Sequence, residues 1–303
     1  MPSSPPPPPR RPRRHRRVHL AAALAAPLVG LAAGACQPPD PLPSRSGPAA
    51  ATSMQPNPVA GRSTVYAPSG MVATSQPLAS AAALRILEAG GNAFDAAVAA
   101  SAVLSLVEPH MTGLGGDLFA LAWSAREGRL VGLDASGRAG SLMTPERIRA
   151  DGFDGVPYQG PGSVTVPGAI AGWAALVERY GTLPLPRILA PAIELAEDGF
   201  PVSPIIARQW AAEVDLLEAD PGAASTYLVD GGRAPRAGEW FRNPDLAASL
   251  RLIADEGPEA MYGGALGRRV VEGLSALGGY LTLDDLRGVE VTWVAPISTD
   301  YKG

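Results

Sequence analysis

The stretch 134–140, with the sequence DASGRAG, places one charged side chain among small residues at the end of a predicted strand. Its arginine, Arg138, presents a planar fork of N–H donors, and Ser136 lies two positions before it. A charged side chain in such a setting is well placed to contact a substrate. A solvated surface arginine fits the same residues equally well, so both interpretations stay open at this point.

A second stretch, 108–117, reads EPHMTGLGGD and joins a predicted helix to a predicted strand. Glycines permit backbone conformations and close approaches that residues with a Cβ atom avoid. The loop could therefore form the wall of a substrate pocket. A tight helix-to-strand turn needs glycines for the same reason, and the spacing alone favours this second interpretation.

The scarcity of histidine and cysteine excludes several kinds of site. Beyond residue 35 the chain has one histidine, His110, and one cysteine, Cys36, so a zinc cluster of these residues cannot be built. The sequence contains no phosphate-binding loop, dinucleotide fingerprint or serine nucleophile elbow. A Ser-His-Asp triad would have to use His110, without a local motif to support it. We predict neither a metal ion nor an organic cofactor.

The distribution of charge argues against a nucleic-acid partner. Six of the 25 basic residues lie between Arg10 and Arg17, whereas the first acidic residue is Asp40. The rest of the chain therefore has 19 basic residues against 29 acidic ones. An acidic body of this kind repels a phosphate backbone, so we expect no nucleic-acid binding.

The first 35 residues are typical of an export signal. A basic stretch ending at Arg17 precedes an apolar run over 18–35. Cys36 follows directly after small residues, and this arrangement resembles the lipid-attachment site of bacterial lipoproteins. We expect a signal peptide over 1–35, lipid attachment at Cys36, and hence an exported protein anchored to a membrane. Ordinary cleavage near Ala35 and an uncleaved anchor are the alternatives.

The elements that must position these residues follow a linker. A segment rich in proline, serine and alanine, 36–62, has no apolar periodicity and predicts that linker, and the folded domain is expected over 63–303. Strands are predicted over 118–123 and 130–134, with a turn through 126–128. Helices are predicted over 78–88, 94–106, 168–179, 187–197, 204–218, 245–255, 265–277 and 283–287, another begins at Thr144, and 289–301 forms an apolar closing segment. This pattern indicates an α/β or α+β fold.

A series of short motifs runs through the whole predicted domain. They are GMVATSQPLAS at 70–80, LEAGGNAFDAAVA at 87–99, VEP at 107–109, GLGG at 113–116, VPG at 166–168, YGTLP at 180–184, DGF at 198–200, GPEAMY at 257–262, GG at 278–279 and DYKG at 300–303. Each motif alone is unspecific. Taken together, in this order and at this spacing, they make the chain resemble the γ-glutamyltranspeptidases.

The resemblance implies an N-terminal-nucleophile hydrolase fold, an αββα sandwich of which this chain is the large-subunit part. Family members are precursors that cut themselves into a large and a small subunit, and the new N-terminal threonine of the small subunit is the nucleophile. It attacks the γ-glutamyl amide of glutathione or a related compound and forms an acyl-enzyme. The resemblance places this threonine beyond Gly303, so we expect no catalytic nucleophile in the chain, which would be inactive without its own small subunit. Neither a metal nor a cofactor takes part.

The resemblance also points to substrate-binding residues, with one departure. Many family members have an arginine two positions after the aspartate matched by Asp134, and it pairs with the α-carboxylate of the glutamyl substrate. Here that position is Ser136, and Arg138 lies about 6–7 Å further along the same strand face. We expect Ser136 and Arg138 to contact a small γ-glutamyl substrate. The alternatives are a related amidase for another acyl donor, similar to cephalosporin acylases, and a truncated lipoprotein without catalytic activity.

Overall fold

The computed structural model describes residues 64–303, and Val65–Gly303 belong to one unit. The predicted signal peptide, the linker and Cys36 lie outside the described residues, and their boundaries stay predictions. The helices are α1 Pro77–Glu88, α2 Ala93–Val107, α3 Pro145–Ala150, α4 Ala169–Tyr180, α5 Leu185–Asp198, α6 Pro204–Ala212, α7 Val214–Glu218, α8 Pro221–Tyr227, α9 Pro244–Glu256, α10 Glu259–Tyr262, α11 Ala265–Ala276 and α12 Leu283–Arg287. The strands are β1 Leu118–Ser124, β2 Arg129–Ala135, β3 Phe200–Pro201, β4 Trp240–Phe241 and β5 Thr292–Val294.

Helices α1 and α2 pack closely because their contact faces consist of small residues. Gln76 caps α1 by accepting a hydrogen bond from the amide of Leu78, and Asn92 and Asp95 form a reciprocal capping box at the start of α2. Most residues that α2 buries are alanine or valine, so α1, α4 and α5 can all approach it. The two helices predicted here from the sequence are confirmed.

The larger of the two sheets is antiparallel and has three strands. Strand β2 lies in the middle, with β1 on one side and β5 on the other. A tight turn with Gly128 at a φ of 65° joins β1 to β2, in agreement with the predicted turn. The register pairs Phe119 with Asp134 and Trp123 with Leu130, so β1 and β2 are matched along their full length.

The two faces of this sheet differ in burial. On one face Leu133 and Ala135 are buried, and α4 packs against both β1 and β2. On the other face Phe119, Leu121 and Trp123 have 70%, 67% and 62% of their surface exposed. Side chains alternate along a strand, so this open face runs the length of β1. Residues 64–303 therefore supply one sheet of the expected sandwich with helices on one side, and they do not form a second sheet on the open face.

One predicted helix, over 204–218, is wrong in extent because the chain breaks at Glu213 into α6 and α7. The amide of Glu213 bonds to the carbonyl of Trp210, three residues back, and so leaves the α-helical pattern. Trp210 packs edge-on against Phe241 with the ring centroids 4.8 Å apart, which holds the end of α6 in the core. The apolar pattern continues through the break, so no local feature marks it.

The closing segment 289–301 forms a strand over only part of its length. Thr292–Val294 pairs with β2, and beyond it the chain leaves the sheet, with Ile297 fully exposed. The sequence patterns also missed the short helices α8 and α10 and the ribbon of β3 and β4. The predicted mixture of helix and sheet is confirmed.

Candidate active site

A cleft of about 260 Å³ lies where the end of β2 meets the segment that leads into β5. Both residues predicted to bind substrate, Ser136 and Arg138, line this cleft. The other lining residues are Asp134, Gly137, Val166, Val289, Glu290 and Thr292. The structure therefore brings the two predicted residues together in one concave site, and their contact with a substrate stays a prediction.

Ser136 is held in place by the aspartate that precedes it on β2. Asp134 Oδ1 accepts a hydrogen bond from the backbone amide of Ser136 at 2.9 Å and another from its hydroxyl at 2.7 Å. The hydrogen bond from the amide contributes most, and together the two bonds hold the pKa of Asp134 below its usual value. Because the Ser136 hydroxyl donates its hydrogen bond to Asp134, Ser136 Oγ can only accept a hydrogen bond from a ligand.

Arg138 reaches towards the segment before β5. Its Nη2 donates to the carbonyl of Gly288 at 2.8 Å and to Glu290 Oε1 at 3.0 Å. Its backbone carbonyl accepts from the amide of Val166 at 3.0 Å. Among the residues that the structure describes, the guanidinium makes no hydrogen bond to Asp134, so the two charged groups act at separate places in the cleft.

Two segments of the cleft, the end of β2 and residues 166–168, approach each other too closely for side chains. A Cβ atom on Gly137 would lie 1.5 Å from the carbonyl oxygen of Val166, and one on Gly168 would lie 1.7 Å from that of Ala135. The valine-proline-glycine motif at 166–168 is therefore in backbone contact with the end of β2. Only glycine fits at the two contact points, because any side chain would force the backbones apart.

The glycine loop 108–117 supports this site without lining it. The carbonyl of Gly116 accepts from the amides of Gly168 and Ala169 at 3.0 and 2.9 Å, at the start of α4. Asp117 Oδ1 accepts from the amide of Gly137 at 3.0 Å. The end of the loop thus fastens both α4 and the segment after β2, in line with the interpretation as a structural turn.

The beginning of the same loop lines a second cavity, of about 550 Å³. His110 lies in its wall with Trp210 and Tyr227, and most of the lining is apolar. Within residues 64–303 the one hydrogen bond of the His110 ring joins Nε2 to Gln209 Oε1 at 3.1 Å. No serine among residues 64–303 hydrogen-bonds to this ring, so the described part of the chain offers no Ser-His-Asp triad here.

Tyr262 supports the cleft from the core. Its buried hydroxyl donates to the carbonyl of Pro167 at 2.8 Å and accepts from the amide of Ala171 at 3.0 Å. Burial raises the pKa of Tyr262 to about 12. The side chain thus links the motif at 166–168 and the first turn of α4 to α10.

Several residues of the site were not predicted from the sequence. Asp134 has a local signal, since an aspartate two residues before a serine commonly accepts that residue's amide. Asp117 follows a pair of glycines and could have been noticed for that reason. Glu290 lies 152 residues from Arg138 along the chain, and no local pattern connects the two.

No group of three or more His, Cys, Asp or Glu residues in 64–303 is placed to hold a metal ion. In the same residues, none of the helices has the length and apolar character needed to cross a membrane.

The sequence of the described residues corresponds to a known family. The sequence signature described as gamma-glutamyltranspeptidase matches residues 79–303. The chain belongs to the γ-glutamyltranspeptidase family. The glutathione hydrolase-like YwrD proenzyme of Bacillus subtilis is 43% identical over 234 residues, which are 77% of this chain and 44% of that protein. The oxamate amidohydrolase proenzyme of Klebsiella pneumoniae is 42% identical over 239 residues, 77% of this chain and 44% of its own length.

Solved structures of this family share the fold. The crystal structure of a cephalosporin acylase from Bacillus halodurans matches with a TM-score of 0.76 and 46% identity, covering 80% of this chain and 46% of that one. The γ-glutamyltranspeptidase of Helicobacter pylori matches with a TM-score of 0.75 and 30% identity, covering 80% and 70%. The predicted N-terminal-nucleophile hydrolase fold is thereby confirmed, and the predicted membership of an enzyme family is confirmed with it. The chain spans about half the length of the curated relatives it matches.

Proposed function

We propose that the protein to which this chain belongs hydrolyses or transfers the γ-glutamyl group of glutathione and related amides. The observation that carries the proposal is the cleft at the end of β2. Arg138 and Ser136 both line this cleft, in a chain of the γ-glutamyltranspeptidase family. A γ-glutamyl donor carries an α-carboxylate and an α-ammonium group. The Arg138 guanidinium suits the carboxylate, and the lone pairs of the Ser136 hydroxyl, beside ionised Asp134, suit the ammonium group.

The reacting atoms belong to the part of the protein that follows Gly303. An N-terminal threonine of the small subunit attacks the γ-carbonyl carbon through its hydroxyl oxygen, and its α-amine takes the proton. The carbon–nitrogen bond then breaks, and the leaving amine receives that proton. Water or an amino acid finally takes the γ-glutamyl group from the ester and regenerates the threonine. The residues of this chain bind and orient the donor, and neither metal nor cofactor is needed.

The small subunit packs on the open face of the sheet. Phe119, Leu121 and Trp123 form an apolar row there, which a monomeric soluble surface rarely exposes. The relatives named as proenzymes are about twice as long as the matched region, so a second segment of chain is available to cover the row. The apolar row supports association with a second segment, and the names of the relatives as proenzymes support cleavage of a precursor.

The protein is exported and anchored to a membrane through Cys36. This part of the proposal rests on the basic and apolar order of 1–35 and on the position of the cysteine. Labelling producing cells with radioactive palmitate tests it. The wild-type protein should incorporate the label and Cys36→Ala should not, whereas a wild-type protein without label contradicts lipid attachment.

A second candidate function is cleavage of another acyl amide. Ser136 stands where many transpeptidases carry arginine, and this favours a donor without the complete α-amino acid end. The identities of 42% to an oxamate amidohydrolase and 46% to a cephalosporin acylase are similar to the 43% to a glutathione hydrolase-like proenzyme, so identity supports both classes of donor equally. A binding role without catalysis is the third possibility.

A panel of donors separates these functions. The complete gene product is assayed with γ-glutamyl anilide, glutaryl anilide and oxamate, and kcat/KM is compared. We expect the γ-glutamyl donor to give the highest value. A higher value for either other donor would assign the amidase function, and no turnover of any donor would assign the binding role.

A further inference from the structure

One nitrogen of Arg138 serves two acceptors. Nη2 donates to the Gly288 carbonyl at 2.8 Å and to Glu290 Oε1 at 3.0 Å, while Nε and Nη1 have no acceptor among residues 64–303. The carbonyl belongs to the backbone and is fixed by the chain. The carboxylate belongs to a flexible side chain that is 78% exposed, so it is the partner that can leave.

The shape of a guanidinium makes this choice of nitrogen important. A carboxylate binds most strongly when two parallel N–H bonds point at its two oxygens. Arginine has two such edges, one formed by Nε with Nη2 and the other by Nη1 with Nη2. Each edge uses one of the two hydrogens of Nη2. With Gly288 and Glu290 both accepting at Nη2, neither edge of Arg138 is free for a bidentate carboxylate.

The charged residues of the cleft also disfavour the binding of a ligand carboxylate. Asp134 and Glu290 line it with negative charge, and Arg138 is the one cation among the lining residues. A ligand carboxylate that enters this cleft is a third negative charge beside one cation, unless it displaces Glu290. A ligand without a carboxylate at this position avoids that competition.

We propose that Glu290 is a specificity-determining residue that competes with a substrate carboxylate for Arg138. The inference rests on the proposed function in taking the cleft as the acyl-donor site. Glu290 lowers the affinity for ligands that carry the α-carboxylate and leaves ligands without it unaffected. The ion pair is largely exposed on both sides, so the effect is modest in size.

The test compares two ligands that differ only in this carboxylate. The complete gene product is titrated by calorimetry with L-glutamate and with L-isoglutamine, in which an amide replaces the α-carboxylate. In Glu290→Gln we expect Kd for L-glutamate to fall about two- to fivefold, as removal of an exposed ion pair predicts. Kd for L-isoglutamine stays the same.

Two further variants identify the partner of Glu290. In the Arg138→Ala background, Glu290→Gln should no longer change the Kd for L-glutamate, because the group they compete for is absent. The matched control is Glu272→Gln, which removes a charge from an exposed glutamate of α11 and should leave both Kd values unchanged.

The outcomes separate this inference from the proposed function. An unchanged or higher Kd for L-glutamate in Glu290→Gln, an equal change for both ligands, or no binding of either ligand overturns the role of Glu290. Hydrolysis of γ-glutamyl anilide is measured on the same preparations. If hydrolysis is absent while the Kd pattern is as expected, the proposed function fails and the role of Glu290 stands.

Discussion

Gly168 lies where two backbones meet, and its missing side chain is a requirement of the site. A Cβ atom there would lie 1.7 Å from the carbonyl oxygen of Ala135. Gly168→Ala must therefore move either α4 or the end of β2, and we expect the free energy of unfolding to fall by about 1–3 kcal/mol or more. Urea denaturation measures this change.

Gly115 provides the matched control for that substitution. A Cβ atom on Gly115 would have nothing within 4 Å. Gly115→Ala should therefore leave the urea midpoint almost unchanged. Equal loss of stability in the two variants would contradict the close backbone contact at Gly168.

The hydroxyl of Tyr262 satisfies two buried backbone groups next to the cleft. Tyr262→Phe leaves the carbonyl of Pro167 and the amide of Ala171 without this partner. Because an unpaired buried polar group costs about 1–3 kcal/mol, we expect a loss of stability in that range at neutral pH. Denaturation at pH 7 tests this expectation.

The same substitution has a predictable dependence on pH. The pKa of Tyr262 is raised to about 12 from a usual value of 10.0, so the folded state favours the neutral phenol. Its contribution to stability is complete below pH 10 and is lost as the pH rises towards 12, because the unfolded state ionises first. The stability difference between wild type and Tyr262→Phe should therefore shrink over this range. A stability difference that stays constant over this range would contradict the raised pKa of Tyr262.

The start of α2 is an element held by one buried carboxylate. Asp95 Oδ2 accepts from the amide of Asn92 at 2.9 Å and from the hydroxyl of Thr182 at 2.6 Å. Asp95 thus caps its own helix and ties it to the loop after α4. Asp95→Ala should lower the free energy of unfolding by about 2–4 kcal/mol, since a cap and hydrogen bonds to a charged group are lost together.

Asp245 is a suitable comparison for Asp95. It lies in the first turn of α9 and is exposed. Asp245→Ala removes only a favourable charge near a helix N-terminus, which contributes about 0.3–1 kcal/mol. Similar losses of unfolding free energy in the two variants, measured by thermal or urea unfolding, would show that the buried hydrogen bonds of Asp95 add nothing to stability.

Elements with local signals were the predictable part of the fold. Thr144 followed by proline predicted the start of α3, and its hydroxyl does accept from the amide of Arg147. The break at Glu213 could not be predicted, because it depends on the packing of Trp210 against Phe241 in a distant strand. Local chemistry fixes where a helix begins, whereas tertiary packing decides where this one is interrupted.

The site shows the same division between local and distant information. Ser136 and Arg138 were found because both lie in one motif, and the structure places both in one cleft. Glu290 shares that cleft only because β5 pairs with β2 in antiparallel register. A contact across 152 residues depends on this strand pairing, which the apolar pattern of 289–301 predicted only as an undivided segment.

At the scale of the whole molecule, we expect the open sheet face to drive association of residues 64–303. If Phe119, Leu121 and Trp123 normally lie under a second subunit, the chain alone should associate through them. We expect Leu121→Lys to shift the isolated chain towards monomer in size-exclusion chromatography with light scattering. In the complete protein the same change should weaken association of the two subunits.

Leu142 tests whether any exposed leucine would act in this way. It is 48% exposed and lies outside the sheet. Leu142→Lys should leave the self-association of the isolated chain as it is. An equal effect of the two lysines, or a monomeric wild-type chain, would contradict the assignment of the open face as the subunit contact.

The cleft at the end of β2 is best tested by the KM for γ-glutamyl anilide in the complete protein with Arg138→Ala. We expect a KM about tenfold higher with kcat little changed, because the bound ground state and the transition state lose the same charge-assisted bond to the donor. Arg149→Ala, at an exposed arginine of α3, should leave KM unchanged. A KM for Arg138→Ala equal to that of the wild type would contradict a donor site at this cleft, since the donor would then bind without Arg138.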